Sequence, residues 1–207
     1  MYKFAIVGKA NSGKNTLSNL IFNHIKYDEF QSGNLSNLDD RMKCVAFADP
    51  IKDMIQIMFP GINKEYLYGS SALRNSIVPN AFKDGEPLTV RQLLIDIGTG
   101  LGRSYNPNVW IDNLIYKYHK AEKENILAFS VPDVRFINEF NALKENNFYM
   151  IKLVRDSELK LNHISETNQN NISEESFDYI AYNNETLDKL SVKAKQIFIS
   201  LKKINQS

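Results

Sequence analysis

The sequence predicts an α/β fold in which a parallel sheet of five strands is covered by helices on both faces. Three observations predict it. Short apolar runs alternate along the chain with longer stretches of helical periodicity, the order that gives right-handed crossovers between parallel strands. The runs are apolar at nearly every position rather than at every second one, as strands buried on both faces require. At 207 residues the chain is long enough for one full domain with a large core and short for two.

Taken in order, "YKFAIV" (2–7) reads as the first strand, followed by an amphipathic helix over 14–26. "KCVAFA" (43–48) is the second strand, with Cys44 expected as a small core residue, and a helix follows over 50–58. Residues 60–88 are less regular; "FPGIN", "VPN" and "DGEPL" mark an insertion or flap rather than an independent domain. Thr89 can cap a helix over 89–101 whose Val90, Leu93, Leu94 and Ile97 face a core. The triplet "GTG" at 98–100 breaks that helix, and a further one is expected over 108–123. "ILAFSV" (126–131) and "FYMIKLV" (148–154) are strands flanking a helix over 136–146. The polar segment 156–176 reads as a lid or a solvated connection, before a last strand "FDYIAY" (177–182) and a helix over 185–203. Ligands of such sheets sit beyond the carboxyl ends of the strands. That rule selects Gly8–Thr16, Ala48–Lys52, Pro132–Arg135, Arg155–Glu166 and Asn183–Asn184 as one candidate face.

A formal net charge of +1 gives no global field, so neither nucleic acid nor membrane is expected as a partner. The single cysteine rules out an intrachain disulfide and a multi-cysteine metal cluster and favours a reducing compartment. With no basic leader or long apolar span before "YKFAIVG", the expectation is a soluble cytoplasmic protein. Only six of the 25 basic residues are arginine: Arg41, Arg74, Arg91, Arg103, Arg135 and Arg155. A lysine-rich chain that keeps a few arginines places some of them where a planar, bidentate fork is needed, as on phosphates.

The first strand runs into "GKANSGKNT", which completes G-x-x-x-x-G-K as Gly8, Gly13 and Lys14. Backbone N–H groups of Gly8, Lys9, Asn11, Ser12 and Gly13 can cup phosphate oxygens there, and the helix N-terminus adds favourable partial charge. Lys14 would reach the β- and γ-phosphates of a nucleotide. Asn15 stands where a Ser or Thr usually ligates Mg²⁺, and the hydroxyl arrives one place late, as Thr16. Its amide oxygen can still accept from a metal-bound water, so the change reads as a kinase branch rather than decay.

Two more stretches carry chemistry. In "SVPDVRFINEFNAL" (130–143) a strand delivers Asp133 and Arg135 to the ligand face with an amphipathic helix behind them. Asp133 suits Mg²⁺ or a hydrogen bond to substrate, Arg135 a phosphate clamp, and Glu139 can pair with Arg135 and orient it. The bland alternative is a helix cap at Asp133 and a surface ion pair. In "TVRQLLIDIGTGLGRSYNPNVWID" (89–112) small residues let a ligand approach the backbone, with Arg91 and Arg103 on either side and Trp110 beyond. These types suit a base-stacking pocket with phosphate anchors; taken alone, a broken helix and a core tryptophan is the simpler reading.

In this order and spacing, "GKANSGKNT", "FADPIKDMI", "RQLLIDIGTGLGR…VWID", "VPDVRFINE", "HISE" and "FDYIAYNN" resemble the bacteriophage-type deoxynucleoside monophosphate kinases. The resemblance runs from about Tyr2 to Leu190 and implies a three-layer P-loop nucleoside monophosphate kinase fold. It implies one domain over 1–207, with 60–125 as a helical or irregular monophosphate-binding insertion and 155–176 as a lid-like segment. The activity it implies is transfer of the γ-phosphoryl group of ATP to a deoxynucleoside 5′-monophosphate with Mg²⁺, giving dNDP and ADP for DNA precursor synthesis. Homodimerisation stays open.

By matching position the resemblance places ATP on Gly8–Thr16, with Asn183 near the adenine. It places the monophosphate on Lys52, Arg74, Arg91, Gly98, Thr99, Trp110, Asp133, Arg135 and Glu139. Arg155 matches the lid arginine that closes over the phosphates, so Lys14, Arg135, Arg155 and Mg²⁺ would surround the moving group. Asp133 would orient the acceptor or the metal shell. Relatives often carry Asp at the place of Asn15, which changes the charge beside the metal. His163 and Glu166 of "HISE" receive no role, with a Ser165 cap as the alternative. Two rivals stand beside this reading: a phosphomevalonate kinase-like enzyme, which shares the loop, the "D-x-R" strand end and "FD-x-x-I-x-N" but lacks the "RQLLIDIGTGLGR…W" block, and a non-catalytic nucleotide-binding regulator.

Overall fold

A computed structural model describes residues 1–34, 37–156 and 172–206. His163 and Glu166, and most of the lid-like segment, lie outside the described residues. The chain divides into two compact units, Met1–Ala46 with Ile115–Ser207, and Phe47–Leu114.

The first unit holds a five-stranded sheet of β1 (Tyr2–Val7), β2 (Met42–Cys44), β5 (Ala128–Val134), β6 (Tyr149–Val154) and β7 (Tyr179–Tyr182). Its order is β2-β5-β1-β6-β7 and every neighbouring pair is parallel. The predicted sheet is therefore present. Its centre is buried on both faces. On one side Phe4 and Ile6 of β1 and Ile151 and Leu153 of β6 pack with helix α1 (Lys14–Gln31) and the C-terminal helix α8 (Leu187–Gln206). Leu17, Ile21 and Ile25 of α1 and Ala194, Ile197 and Leu201 of α8 recur at helical spacing to form that layer. On the other side Tyr118 of α6 (Val109–Lys123) meets the edges of Phe129 and Phe148. Helix α7 (Ile137–Glu145) contributes the buried Phe140 and Leu143.

The two outer strands depart from expectation. β2 is three residues long where "KCVAFA" predicts six, because only Met42–Cys44 pairs with β5 before the chain leaves after the Val45 N–H donates to the Ser130 carbonyl. Cys44 is exposed rather than a core residue. An edge strand has one neighbour, so its apolar letters need not all be covered.

The second unit contains α2 (Asp49–Met58), the short helix α3 (Lys64–Tyr68) and a 3₁₀ turn over Ser71–Asn75. An antiparallel hairpin of β3 (Ile77–Lys83) and β4 (Glu86–Thr89) follows, then α4 (Val90–Ile95). Asp84 and Gly85 turn the hairpin with φ of 53° and 85°, the left-handed pair of a two-residue connection. Thr89 and Gln92 form a reciprocal capping box at α4. The expected helix over 89–101 does not run through. From Asp96 to Gly102 the backbone widens into a π-helical turn, and Arg103–Tyr105 add a last helical turn, α5.

Candidate active site

In the first unit β1 ends at Val7 and the chain makes the loop Gly8–Gly13 before entering α1. The two glycines that bound the loop cannot be replaced freely. A Cβ on Gly8 would stand 2.5 Å from the Leu153 carbonyl oxygen and 2.8 Å from Ser12 Oγ. Gly13 has φ +97°, and a Cβ there would meet Asn183 Nδ2 at 2.6 Å. As the N-cap of α1, Gly13 offers no side-chain acceptor, and the first turn contains no acidic residue. The positive end of the helix thus faces the loop with no side-chain cap from Gly13. Ser12 points a buried hydroxyl, without a hydrogen-bond partner, from within the loop. Lys14 folds its ammonium back over the loop, donating to the Gly8 carbonyl at 2.7 Å and the Lys9 carbonyl at 2.6 Å. A lysine, an orphaned hydroxyl and a helix N-terminus together form an anion cradle, and they fit a nucleotide phosphate chain. Asn15 and Thr16 are exposed on the first turn of α1.

The remaining sheet ends lie beside this loop. Val7 pairs with Val134 while Ala5 pairs with Val131, so two steps on β1 span three on β5. Pro132 has no N–H to give the ladder, and the extra residue forms a bulge there. Asp133, partly exposed, emerges at the bulge one residue before the partner of Val7. Asp133 does not cap the following helix; the N-cap is Phe136. Arg135 is exposed, and Glu139, 2% exposed, accepts from the main-chain N–H groups of Arg135 (2.8 Å) and Phe136 (3.1 Å). The tie between Glu139 and Arg135 thus runs through the main chain. It fixes the backbone that presents the guanidinium. Asn183, at the end of β7, donates from Nδ2 to the Ser12 carbonyl at 2.8 Å. Arg155, at the end of β6, donates from Nη1 to the Asn11 carbonyl at 3.4 Å. Lys14, Asp133, Arg135, Arg155 and Asn183 therefore belong to one unit and one end of one sheet.

The other predicted residues lie in the second unit. Lys52 is 9% exposed; its ammonium pairs with Asp49 at 3.1 Å and stands 4.8 Å from the centre of the Tyr68 ring. The Tyr68 hydroxyl donates to Asp53 at 2.5 Å. Burial first, and that hydrogen bond next, push its pKa well above the ordinary phenol range, so it stays a donor. Arg91 donates to the Asn75 side chain at 3.0 Å and to the Ser71 carbonyl at 3.2 Å. Those residues bound the 3₁₀ turn that carries Arg74, so the two arginines are held on one local scaffold.

Trp110 is 6% exposed, and its Nε1 donates to the Gly98 carbonyl at 2.7 Å. The indole lies so close to Gly102 that a Cβ there would stand 2.2 Å from Cζ2. Gly98 likewise has no room for a methyl beside Ile51, at 2.8 Å. Helix α2 and the indole thus grip the π-turn through its glycines, leaving Thr99 and Gly100 exposed. Wide turns of this kind recur at functional sites. Gly102→Ala forces a buried ring to shift and should cost about 1–3 kcal/mol as an overpacking change. A lowered thermal midpoint checks this; an unchanged one would show that the indole has room to move.

Sequence reasoning missed one contributor, Tyr68 beneath Lys52, which no motif marks. Asn184 falls on the expected ligand face, but its pairing with Asp156 is identified only by the contacts. Among the described residues no group of three or more His, Cys, Asp or Glu side chains could hold a metal, and no helix is long and apolar enough to cross a membrane.

The family model for deoxynucleotide monophosphate kinase matches residues 63–194. A protein of Acanthamoeba polyphaga mimivirus with the name "Putative deoxynucleotide monophosphate kinase" is 25% identical over 199 residues, covering 91% of this chain and 92% of its own length. The family match begins after the loop Gly8–Gly13 and does not include it. On both grounds the chain is a phosphotransferase and belongs to the deoxynucleotide monophosphate kinase family.

Proposed function

We propose that the enzyme transfers the γ-phosphoryl group of ATP to a deoxynucleoside 5′-monophosphate, releasing dNDP and ADP. The anion cradle in the first unit carries this reading: a lysine ammonium folded over a loop whose buried Ser12 hydroxyl has no partner. Gly8, Lys9, Asn11, Ser12, Gly13, Lys14, Asn15 and Thr16 would hold the triphosphate, and Asn183 would keep the loop's shoulder in place near the base. In the second unit Lys52, Arg74 and Arg91 would bind the acceptor monophosphate, and the turn bearing Gly98 and Thr99 would shape the nucleoside site with Trp110 as its strut.

Phosphoryl transfer through a loose transition state is chiefly positioning and charge neutralisation. Lys14, Arg135 and Arg155 would provide positive charge for the transferring group, while Glu139 holds the main chain of Arg135 and Asp133 would orient the acceptor or a metal-bound water. Mg²⁺ arrives with phosphates, keeps several waters and needs only one or two protein oxygens. Asp133, and Asn15 through a bound water, would offer those oxygens, Thr16 would offer its hydroxyl near the α-phosphate, and the ion would neutralise charge on the phosphate chain. The soluble setting of such a reaction is the cytoplasm.

The test is coupled ADP release with a panel of dNMPs, NMPs and phosphomevalonate. Release with at least one dNMP supports the proposal. Release with phosphomevalonate alone transfers it to the rival kinase, and tight ATP binding without any release supports a regulator. Within this reading Asn15→Asp adds a negative charge beside a hard cation. It should lower the Mg²⁺ concentration for half-maximal rate, whereas Asn15→Ser should change it little. Initial rates against free Mg²⁺ at saturating ATP check both; an unmoved Asn15→Asp curve would place Asn15 away from the metal.

A further inference from the structure

The exits of β6 and β7 are joined by a pair of side chains, Asp156 and Asn184, to which the sequence analysis gives no role. β6 and β7 run in parallel register with Val154 opposite Tyr182, and the Asn183 N–H donates to the Val154 carbonyl at 2.7 Å. Two residues further on each strand, that register places Asp156 opposite Asn184. The main-chain N–H of Asp156 donates to Asn184 Oδ1 at 2.8 Å, and Asn184 Nδ2 donates to Asp156 Oδ2 at 2.6 Å. The pair is reciprocal: one asparagine amide satisfies a main-chain donor and a carboxylate of the same residue. On either side of it, Asn183 holds the Ser12 carbonyl and Arg155 reaches the Asn11 carbonyl. The contacts close a circuit from Ser12 through Asn183, Asn184, Asp156 and Arg155 to Asn11.

We propose that Asn184 is a positioning residue, which acts through Asp156 to fix the exit of β6 and so to aim Arg155 at the phosphate loop. Arg155 leaves β6 exposed, one residue before Asp156, and a long flexible side chain on an untethered exit would sample many directions. Two hydrogen bonds on the next residue, one of them charge-assisted, remove most of that freedom at the backbone. The consequence for catalysis rests on the role of Arg155 proposed above; the clamp itself does not.

The test exchanges the two partners. In Asn184→Asp two carboxylates face each other, and in Asn184→Leu both bonds are gone. In the double variant Asp156→Asn with Asn184→Asp, the main-chain N–H and the new amide can both donate to the new carboxylate, so the reciprocal pair is rebuilt. Thermal melts report folding. NMR amide exchange at position 156 reads the clamp without any turnover. The 156 amide should be protected in the wild type, lose protection in Asn184→Leu and regain it in the exchanged pair. A positional error near reacting groups can cost up to about a hundredfold, so kcat should fall about tenfold in either single variant at position 184, with KM for the monophosphate unmoved. The exchanged pair should return to within about twofold of wild type. In an Arg155→Ala background, Asn184→Asp should add little further loss, as coupling through one residue requires.

An unprotected 156 amide in the wild type, or an exchanged pair no better than Asn184→Asp, overturns the clamp. Equal losses with and without Arg155 overturn the route through that residue. Amide protection lost in Asn184→Leu at unchanged kcat overturns the positioning role alone. If Arg155→Ala itself leaves kcat unchanged, the proposed contact of Arg155 with the transferring group fails, and the amide exchange still reports whether the clamp exists.

Discussion

Lys14→Ala should abolish phosphoryl transfer while leaving the chain folded. The Lys14 ammonium rests on the carbonyls of buried Gly8 and exposed Lys9, two neutral acceptors rather than a buried counter-charge. Such hydrogen bonds contribute about 1 kcal/mol net, small beside the stability of a domain with a continuous core across β1, β6, α1 and α8. The charge, by contrast, has no substitute at the entrance of α1: the helix's first turn holds no other cation, Ser12 offers a neutral hydroxyl, and the loop's other lysine, Lys9, is exposed. Turnover by ADP release and a thermal melt, measured on the same preparation, separate the two effects. Full activity in Lys14→Ala would remove the loop from the mechanism.

Nearly as large an effect is expected for the arginines at the sheet's carboxyl end. Arg155→Ala and Arg135→Ala should lower kcat by about 10³-fold, the scale of losing an arginine that stabilises the transferring group. Both side chains are exposed, so neither substitution opens the core. Arg91→Ala should behave differently. Its bonds to Asn75 and Ser71 tie it to the scaffold of Arg74, a place for ground-state binding, so KM for the monophosphate should rise while kcat changes less. Steady-state kinetics with each substrate varied in turn distinguish the cases. An Arg91 effect confined to ATP would relocate the acceptor site.

The centre of the fold was legible because burial on both faces leaves little choice of letters. "YKFAIV" is β1 as expected, and "FYMIKLV" is β6 less its first residue. Legibility failed where burial is one-sided. "KCVAFA" overstates β2, and Cys44 is exposed on an edge strand. The hairpin of β3 and β4 was missed although Asp84-Gly85 announces it, because "VPN" and "DGEPL" carry prolines that read as irregular chain. The helix over 89–101 was seen to break at its glycines, but a π-turn locked by an indole through Gly102 has no one-dimensional signature.

The candidate site divides the same way. The loop, Asp133 and Arg135 follow from motif and strand end. Glu139 reaches the main chain of Arg135 within one helical turn, but Asn183 against Ser12 and Asn184 against Asp156 depend on strand register. Each of these two pairings needs its strands to be placed side by side before the partner is known.

Tracing the γ-phosphoryl group itself tests the account most directly. ATP labelled with ³²P at the γ position, a deoxynucleoside monophosphate and Mg²⁺ are incubated with the enzyme, and the products are separated by chromatography. The account predicts that label moves into the corresponding deoxynucleoside diphosphate, at a rate that vanishes in Lys14→Ala. Label that stays in ATP with every deoxynucleoside monophosphate, or that appears only as inorganic phosphate, would contradict it.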